Sequence, residues 1–302
     1  MDNKPRRPWL AALLTILEIG LGHIYAGNFK RGLSLFFIGQ LLSLAFIASL
    51  LVITPGAISM VIRILVIIAF TIYCILDAVL IARRKKEDYK PAKYNRWFVY
   101  VGYLLITVLF VQTYITYIVV PYWIQPFKMP TGSMEPTLLV GDHALINKHI
   151  YRSAEPHRGE IIVFGYPPDP SVPYIKRLIG VPGDTIEMVG RTVYINGKAI
   201  KEKYTQYTNP NSDTDHFGPY RVPPDQYFVL GDNRDNSQDS RFYGFVPMRN
   251  LLGKPLMIYW SYETSRDEYL RASPSDQISQ AADKVMHFFS KTRWNRTFKA
   301  IE

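Results

Sequence analysis

Between Phe127 and Asp142 the chain reads "FKMPTGSMEPTLLVGD", with one serine set between glycine and methionine in a turn punctuated by two prolines. Glycine and proline are the residues that let a backbone turn sharply and hold one side chain out. An ordinary surface loop tolerates serine as well, but it has little need of "SMEPT" running straight into the strand-like "LLVGD". Ser133 is therefore either a presented nucleophile or a plain loop residue, and its surroundings have to separate the two.

Upstream of this turn the chain is dominated by apolar runs. Leu33–Thr54, Ile58–Ala82 and Trp97–Val120 each reach the ~20 apolar residues that a helix needs to cross a bilayer. A fourth run, Trp9–Tyr25, is shorter and carries Glu18 and His23; it spans, re-enters or lies at the interface, so residues 1–96 are expected to hold two or three spans. It does not read as a cleaved signal peptide, because no small-x-small site precedes a plausible mature start. Arg63 and Asp77 lie inside Ile58–Ala82, where facing lipid is costly, so they are expected near helix ends or against other helices. About four helical turns separate them, which argues against a direct pair.

The formal net charge of +10 is uneven. Residues 1–96 hold thirteen Lys/Arg against five Asp/Glu, or +8, leaving +2 for the rest. This excess brackets apolar segments, so membrane topology explains it better than nucleic-acid binding. "RRKKEDYKPAKYNR", Arg83 to Arg96, is the most basic connection and is expected in the cytoplasm. The helix Trp97–Val120 then delivers everything after it to the opposite side. Four spans would put the basic start "MDNKPRR" outside, against the same rule, whereas three put it on the cytoplasmic side, which is the reading preferred.

From Tyr122 onward the texture changes to short β-rich runs such as "HALINKHIY", "GEIIVFGYP" and "QYFVLGD", separated by Pro, Gly, Asn and Asp. "YINGKAI" signals a hairpin, since Asn196-Gly197 suits a type I′ turn. The organisation expected is a membrane-embedded helical region over 1–96, a transmembrane helix over 97–120, and a β-rich domain over 121–262. A polar tail over 263–302 follows, with a helix across Asp276–Lys291 and a basic, aromatic end that either touches lipid headgroups or stays loosely ordered.

The single cysteine, Cys74, excludes an intramolecular disulfide and any Cys/His zinc cluster. His143, His149 and His157 lack metal-ligand spacing, and no metal or cofactor is called for.

A serine nucleophile needs a base. Ser133 has no Gly-x-Ser-x-Gly elbow around it and no lysine three residues on. The candidate is Lys176 in "PYIKRLIGVPGD", inside an apolar strand pattern. A lysine at its ordinary pKa of about 10.4 is protonated at neutral pH, but burial disfavours the charged form and frees the amine. Alternatively Lys176 or Arg177 snorkels from a strand edge. "GDNRDNSQDSRFYGFVP", Gly231 to Pro247, is either a turn-rich surface loop or the support for a catalytic lysine. In the second case Ser237 could hydrogen-bond the amine, while Asp239 and Arg241 pair and stiffen the loop. The arginines and the missing EF-hand spacing speak against calcium.

"MPTGSMEPTLLVGD", "RGEIIVFGYP", "YIKRLIGVPGD" and "GDNRDNSQDSRFYGFVP" together resemble, in order, the boxes of bacterial type I signal peptidase, a membrane-anchored Ser/Lys protease. The resemblance covers about Tyr122 to Trp260. It implies a mainly antiparallel, complex all-β catalytic domain, with Ser133 as nucleophile and Lys176 as general base. It further implies that Thr131 helps bind the oxyanion, that Ser237 steadies the lysine, and that Asp239 and Arg241 brace the site. Implied partners are signal-peptide-bearing preproteins with small residues before the cleavage site and the lipid bilayer. The secretion translocon is a candidate partner. Implied location is the bacterial cytoplasmic membrane, multi-pass, with the catalytic domain on the extracytoplasmic side. The resemblance implies no cofactor.

Two other readings share these residues. Related Ser/Lys repressors cleave themselves, but they are soluble and carry a DNA-binding domain, against which the apolar spans weigh. A membrane-anchored scaffold or sensor whose β domain only binds peptides is the non-enzyme alternative.

Overall fold

The computed structural model describes residues 5–52, 57–85, 89–209, 216–265, 267 and 273–301. The start of the chain before Pro5, the end of the first long apolar run and residues 86–88 of the basic connection lie outside the described residues. The chain divides into two compact units, Met1–Val120 and Pro121–Glu302.

In the first unit the short apolar segment forms two helices, α1 (Pro8–Leu17) and α2 (Leu21–Tyr25). Pro8 takes the first helical position, where its missing N–H has no partner to lose. Then come α3 (Phe29–Val52), α4 (Ala57–Arg84) and α5 (Trp97–Tyr114), the last extended by a π-helical turn, Ile115–Val119. By length and composition Phe29–Leu51, Ile58–Arg84 and Trp97–Tyr122 are able to cross a membrane, whereas Pro8–Leu17 is shorter. Small residues, Ala11 and Ala26 with Ala78 and Ala82, pack the junction of α1, α2 and α4.

The charges inside α4 meet other helices and not each other. Arg31 of α3 holds Asp77 at two points, Nε to Oδ2 at 2.6 Å and Nη2 to Oδ1 at 2.8 Å. His23 of α2 lies 3.0 Å from the same carboxylate. Arg63 donates to the Ser49 carbonyl at 3.3 Å.

The second unit holds two sheets, and every pairing between their named strands is antiparallel. The larger contains β1 (Ile124–Lys128), β2 (Asp142–Asn147), β3 (Ile161–Tyr166) and β4 (Asp169–Gly180). The smaller contains β5 (Thr185–Val189), β6 (Thr192–Ile195), β7 (Lys198–Ala199) and β8 (Phe217–Arg221). β9 (Gln226–Leu230), β10 (Val246–Pro247), β11 (Leu251–Ser261) and β12 (Lys299–Ala300) return to the larger sheet. Its order is β1-β2-β11-β3-β4-β9-β10, with β12 on β11, and the smaller runs β7-β6-β5-β8.

The hairpin at "YINGKAI" has the expected two-residue turn. Asn196 (φ 52°) and Gly197 (φ 76°) are both left-handed, and Ile195 pairs with Lys198. Ile179, Phe228 and Leu230 of the larger sheet pack with Ile186, Met188 and Val193 of the smaller, so one apolar cluster joins the two. A second cluster, including Met134, Leu138, Ile146 and Ile161, sits under the serine-bearing turn.

The tail carries the expected helix, Pro274–Met286, followed by a short one, Phe288–Lys291, but the loosely ordered alternative does not hold for its end. It is not a loose extension: β12 pairs with β11 at Ala300–Met257 and Lys299–Ile258. Arg296 donates to the Asp142 carboxylate at 2.6 Å and to the Thr137 carbonyl at 2.9 Å. Arg293 donates to the Val140 and Tyr262 carbonyls. Buried carbonyls and a fully buried Asp142 demand these donors, and this fixes the chain end on the body.

Candidate active site

The turn that carries Ser133 is built from both ends. Met129 N–H donates to the Asp142 carbonyl and Gly141 N–H to the Met129 carbonyl, which closes the neck of the loop. Met134 and Leu138 drop into the core at 1% exposure each. With these anchors buried, the polypeptide between them has to turn, and Glu135 N–H closes that turn on the Gly132 carbonyl. Ser133 is left at the inner rim, 7% exposed.

Lys176 lies on β4, whose partner across β3 at that position is Ile162. Its Nζ stands 2.7 Å from Ser133 Oγ, and the residue is 4% exposed. Burial, the largest cause, lowers its pKa to about 8. Asp239 and Asp232 oppose this shift and Arg241 assists it. The amine also lies 5.6 Å from the centre of the Tyr174 ring.

The segment after β9 closes the third side. Gly231 passes so near the turn that a Cβ there would meet Ser237 Oγ at 2.2 Å and the Ser133 carbonyl at 2.5 Å. Asn233 then grips the turn twice, its N–H to the Ser133 carbonyl at 3.1 Å and its Nδ2 to the Gly132 carbonyl at 3.1 Å. Asp239 accepts from Arg241 at both oxygens, 2.8 Å each, and from the Gly231 N–H at 3.0 Å.

Thr131 Oγ1 lies 3.5 Å from Ser133 Oγ. Among the described residues, the Ser133 N–H has no acceptor. Ser237 lines the same groove, but the bond to the amine that the sequence suggested is not formed. Its Oγ is buried with no hydrogen-bond partner among the described residues. Among the described residues no group of three His, Cys, Asp or Glu is arranged to hold a metal.

Asp232 is a residue that sequence reasoning missed. Fully buried, it accepts from Arg177 Nε and Nη2 at 2.8 and 2.7 Å and from Thr137 Oγ1 at 2.6 Å. Arg177 neighbours Lys176 and Thr137 belongs to the serine turn, so one carboxylate ties both segments together. Arg177 therefore does not snorkel; it is 4% exposed and stacks on Tyr204 at 3.8 Å. Arg234 is likewise buried and bonded to Glu202 at 2.6 Å. The only available signal was the cluster of Asp and Arg in "GDNRDNSQDSR", which gives no pairing.

A groove of about 630 Å³ opens beside the pair, lined on one wall by Phe127 to Thr131 and on the other by Val172 to Ile175. Among the described residues β1 pairs only with β2, and β4 up to Lys176 only with β3, so each of these two strands has one edge without a strand partner.

A sequence profile described as "Signal peptidase, peptidase S26" matches residues 97–260, more than half of the chain. A probable signal peptidase I-2 of Synechocystis is 41% identical over 160 residues, 49% of this chain and 71% of the relative. A signal peptidase I of Aquifex aeolicus is 35% identical over 234 residues, 59% of this chain and 88% of the relative. A solved signal peptidase I of Enterococcus faecalis is 37% identical, covering 33% of this chain and 97% of its own, with a TM-score of 0.31. With its serine turn, its buried lysine and its β domain inside the matched region, this chain belongs to the signal peptidase family, peptidase S26.

Proposed function

We propose that this protein is a membrane-anchored endopeptidase that removes signal peptides from exported preproteins, with Ser133 as nucleophile and Lys176 as general base. The observation that carries the reading is the 2.7 Å approach of Lys176 Nζ to Ser133 Oγ in a water-poor position. The neutral amine takes the hydroxyl proton as Oγ attacks the scissile carbonyl. The Ser133 N–H and Thr131 Oγ1 hold the oxyanion, where each such donor is worth about 3 kcal/mol. The ammonium then returns its proton to the departing amine, and a water molecule activated by the same lysine releases the acyl group. Ser237 Oγ, buried without a partner, accepts from the ammonium while it carries the extra proton. Asp239 with Arg241 braces the loop that delivers Ser237.

The substrate is an extended peptide laid between the two strand edges of the groove. Small side chains before the scissile bond follow from the resemblance to the family.

The reading extends to topology: three spans, with the N-terminus and the basic connection both cytoplasmic. Contacts within the first unit support this. Arg6 packs over the rings of Tyr25 and Tyr89, Lys85 donates to the Gly27 carbonyl, and Asn95 donates to the Ile24 carbonyl. The start of the chain and the connection between α4 and α5 therefore share one end of the helix bundle. The second unit then lies across the bilayer from them.

Four expected outcomes test these statements. Purified Ser133→Ala protein binds a secretory precursor but leaves it uncut; cleavage at the wild-type rate excludes the serine, and intact binding without cleavage by wild type favours the scaffold. Because only the neutral amine accepts a proton, kcat/KM rises with pH through about 8 and levels off above it, whereas a flat profile from about pH 6 to 9.5 removes the lysine from the mechanism. Asp232→Ala strands the buried Arg177 charge and costs about 3–5 kcal/mol in denaturant unfolding, with a fall in cleavage rate. In sealed inside-out vesicles, added protease cuts the basic connection Arg83–Arg96 and spares residues 122–302; the reverse pattern inverts the topology.

A further inference from the structure

The family match begins at residue 97, so α1 to α4 lie outside it. Within the first unit a cleft of about 400 Å³ runs between α3 and α5. Phe29, Leu33, Phe36 and Phe37 form one wall, and α5 between Val99 and Phe110 forms the other. The short helix α2 keeps this cleft open. Gly20, just before it, passes close to both long helices: a Cβ there would meet the Gly32 carbonyl at 2.3 Å and the Tyr103 hydroxyl at 2.4 Å. Leu21 and Ile24 then pack with Phe36 and Tyr103. α2 therefore touches α3 and α5 together and stops them closing on each other.

The lining offers a ligand no hydrogen bond. Its two hydroxyls are engaged within the unit: Tyr103 donates to the Ile19 carbonyl at 2.8 Å and Thr107 to the Tyr103 carbonyl at 3.0 Å. The Phe36 ring meets Tyr103 and Phe110 edge-on, with centres 6.2 and 6.3 Å apart, so the two walls are tied and the cleft is preformed. Its floor at Gly102 is open, since a Cβ there would have no neighbour within 4 Å. A helix with its side chains is about 10 Å across, too wide to sink into this volume. An acyl chain is the apolar body that fits.

The mouth carries charge. On α5, Arg96, Val99, Tyr103, Ile106 and Phe110 follow at spacings of three, four, three and four, so Arg96 continues the cleft face by one turn. On α3, Lys30 stands three residues before Leu33 and seven before Phe37, again on one face. Both cations are exposed, and among the described residues neither is ion-paired with a carboxylate. Arg31 is held by Asp77 and does not count among them. A signal segment begins with positive charge and would be repelled at such a mouth. An amphiphile with a negative headgroup is attracted.

We propose that this cleft binds one anionic phospholipid, with an acyl chain along Phe36, Gly102 and Phe110 and the phosphate held by Lys30 and Arg96. The proposal rests on the proposed spanning of α3 and α5, with the mouth at the cytoplasmic leaflet. Lipid acts here as a selected ligand and not only as solvent.

The test uses the full chain in vesicles of phosphatidylcholine and phosphatidylglycerol. Phosphatidylglycerol with a photoreactive diazirine in one acyl chain is compared with the matching phosphatidylcholine, and attachment sites are mapped by mass spectrometry. The outer face of α4 is the control for cations without a cleft: Ile72, Leu76 and Leu80 are exposed there, and Arg83 and Arg84 end the helix. The phosphatidylglycerol probe is expected to label residues 29–37 and 99–110 about threefold more than the phosphatidylcholine probe, and α4 nearly equally. Lys30→Gln combined with Arg96→Gln removes that preference. Gly102→Leu, placed where a side chain has room, lowers labelling at 99–110 by either probe. Equal yields from the two probes at the cleft overturn the proposal. The same preference on α4 also overturns it, because it marks general attraction to a basic surface. Cross-links from α3 or α5 to a second copy in place of lipid do so as well. Protease protection of residues 122–302 in the same vesicles checks the spanning separately. Cleavage of a short soluble peptide, unchanged in both variants, checks the Ser/Lys reading. Failure of the lipid site is thereby distinguished from failure of either.

Discussion

The proposed reading depends on one lysine that is kept dry and is not recharged by the carboxylates around it. Burial alone lowers the pKa of Lys176, but two carboxylates, Asp239 and Asp232, lie near enough to raise it again. Left bare, they would hold a proton on the amine and, in the proposed reading, spoil it as a base. Each is instead engaged by its own arginine: Arg241 grips Asp239 with two donors, and Arg177 grips Asp232 with two. The Arg241 guanidinium offsets part of the carboxylates' field at the amine. Desolvation then remains the largest influence.

The same pairs perform a second task, which is to position. Asp232 joins the strand carrying Lys176 to the turn carrying Ser133 through Thr137. Asp239 receives the Gly231 N–H and thereby fixes the segment whose next residues, through Asn233, hold the Ser133 and Gly132 carbonyls. Arg296, from the far end of the chain, secures the same turn at the Thr137 carbonyl and at Asp142. Buried ion pairs of this kind add little net stability over apolar packing, but each is costly to break one partner at a time. Such a network favours a unique geometry over a strong fold.

How much of this was legible depends on whether the information is local. The apolar runs, the short strands and the Asn196-Gly197 turn are local patterns, and the structure has helices, strands and a hairpin there. Four short boxes named Ser133, Lys176, Thr131, Ser237, Asp239 and Arg241, and the structure gathers them around one groove or directly behind it. What the sequence did not disclose are partners distant along the chain. Arg177 with Asp232, Arg234 with Glu202 and Arg296 with Asp142 are each a common residue beside another, and no spacing rule joins them. How the tail is anchored was hidden for the same reason: Lys299 and Ala300 have no strand signature, and the edge of β11 recruits them. The Ser237 hydroxyl shows a further limit, since composition identifies a donor or acceptor but not where its rotamer aims it.

The groove poses a conflict that the prolines resolve. A free strand edge is what an extended substrate would need, yet it is also a template for unwanted pairing with any other strand. Pro126 and Pro130 interrupt one wall, and Pro170 and Pro173 the other, so neither edge offers an unbroken row of N–H donors. What remains usable is short: Thr131 on one side and the Tyr174–Ile175 segment on the other, directly before Ser133 and Lys176, since Met129 already bonds Asp142 and Gly141. An edge of that length pairs with only a few residues of an extended peptide, and it does so where the hydroxyl and the amine meet. In the proposed reading, the punctuation that first made the serine conspicuous therefore also limits how much substrate the edges can hold.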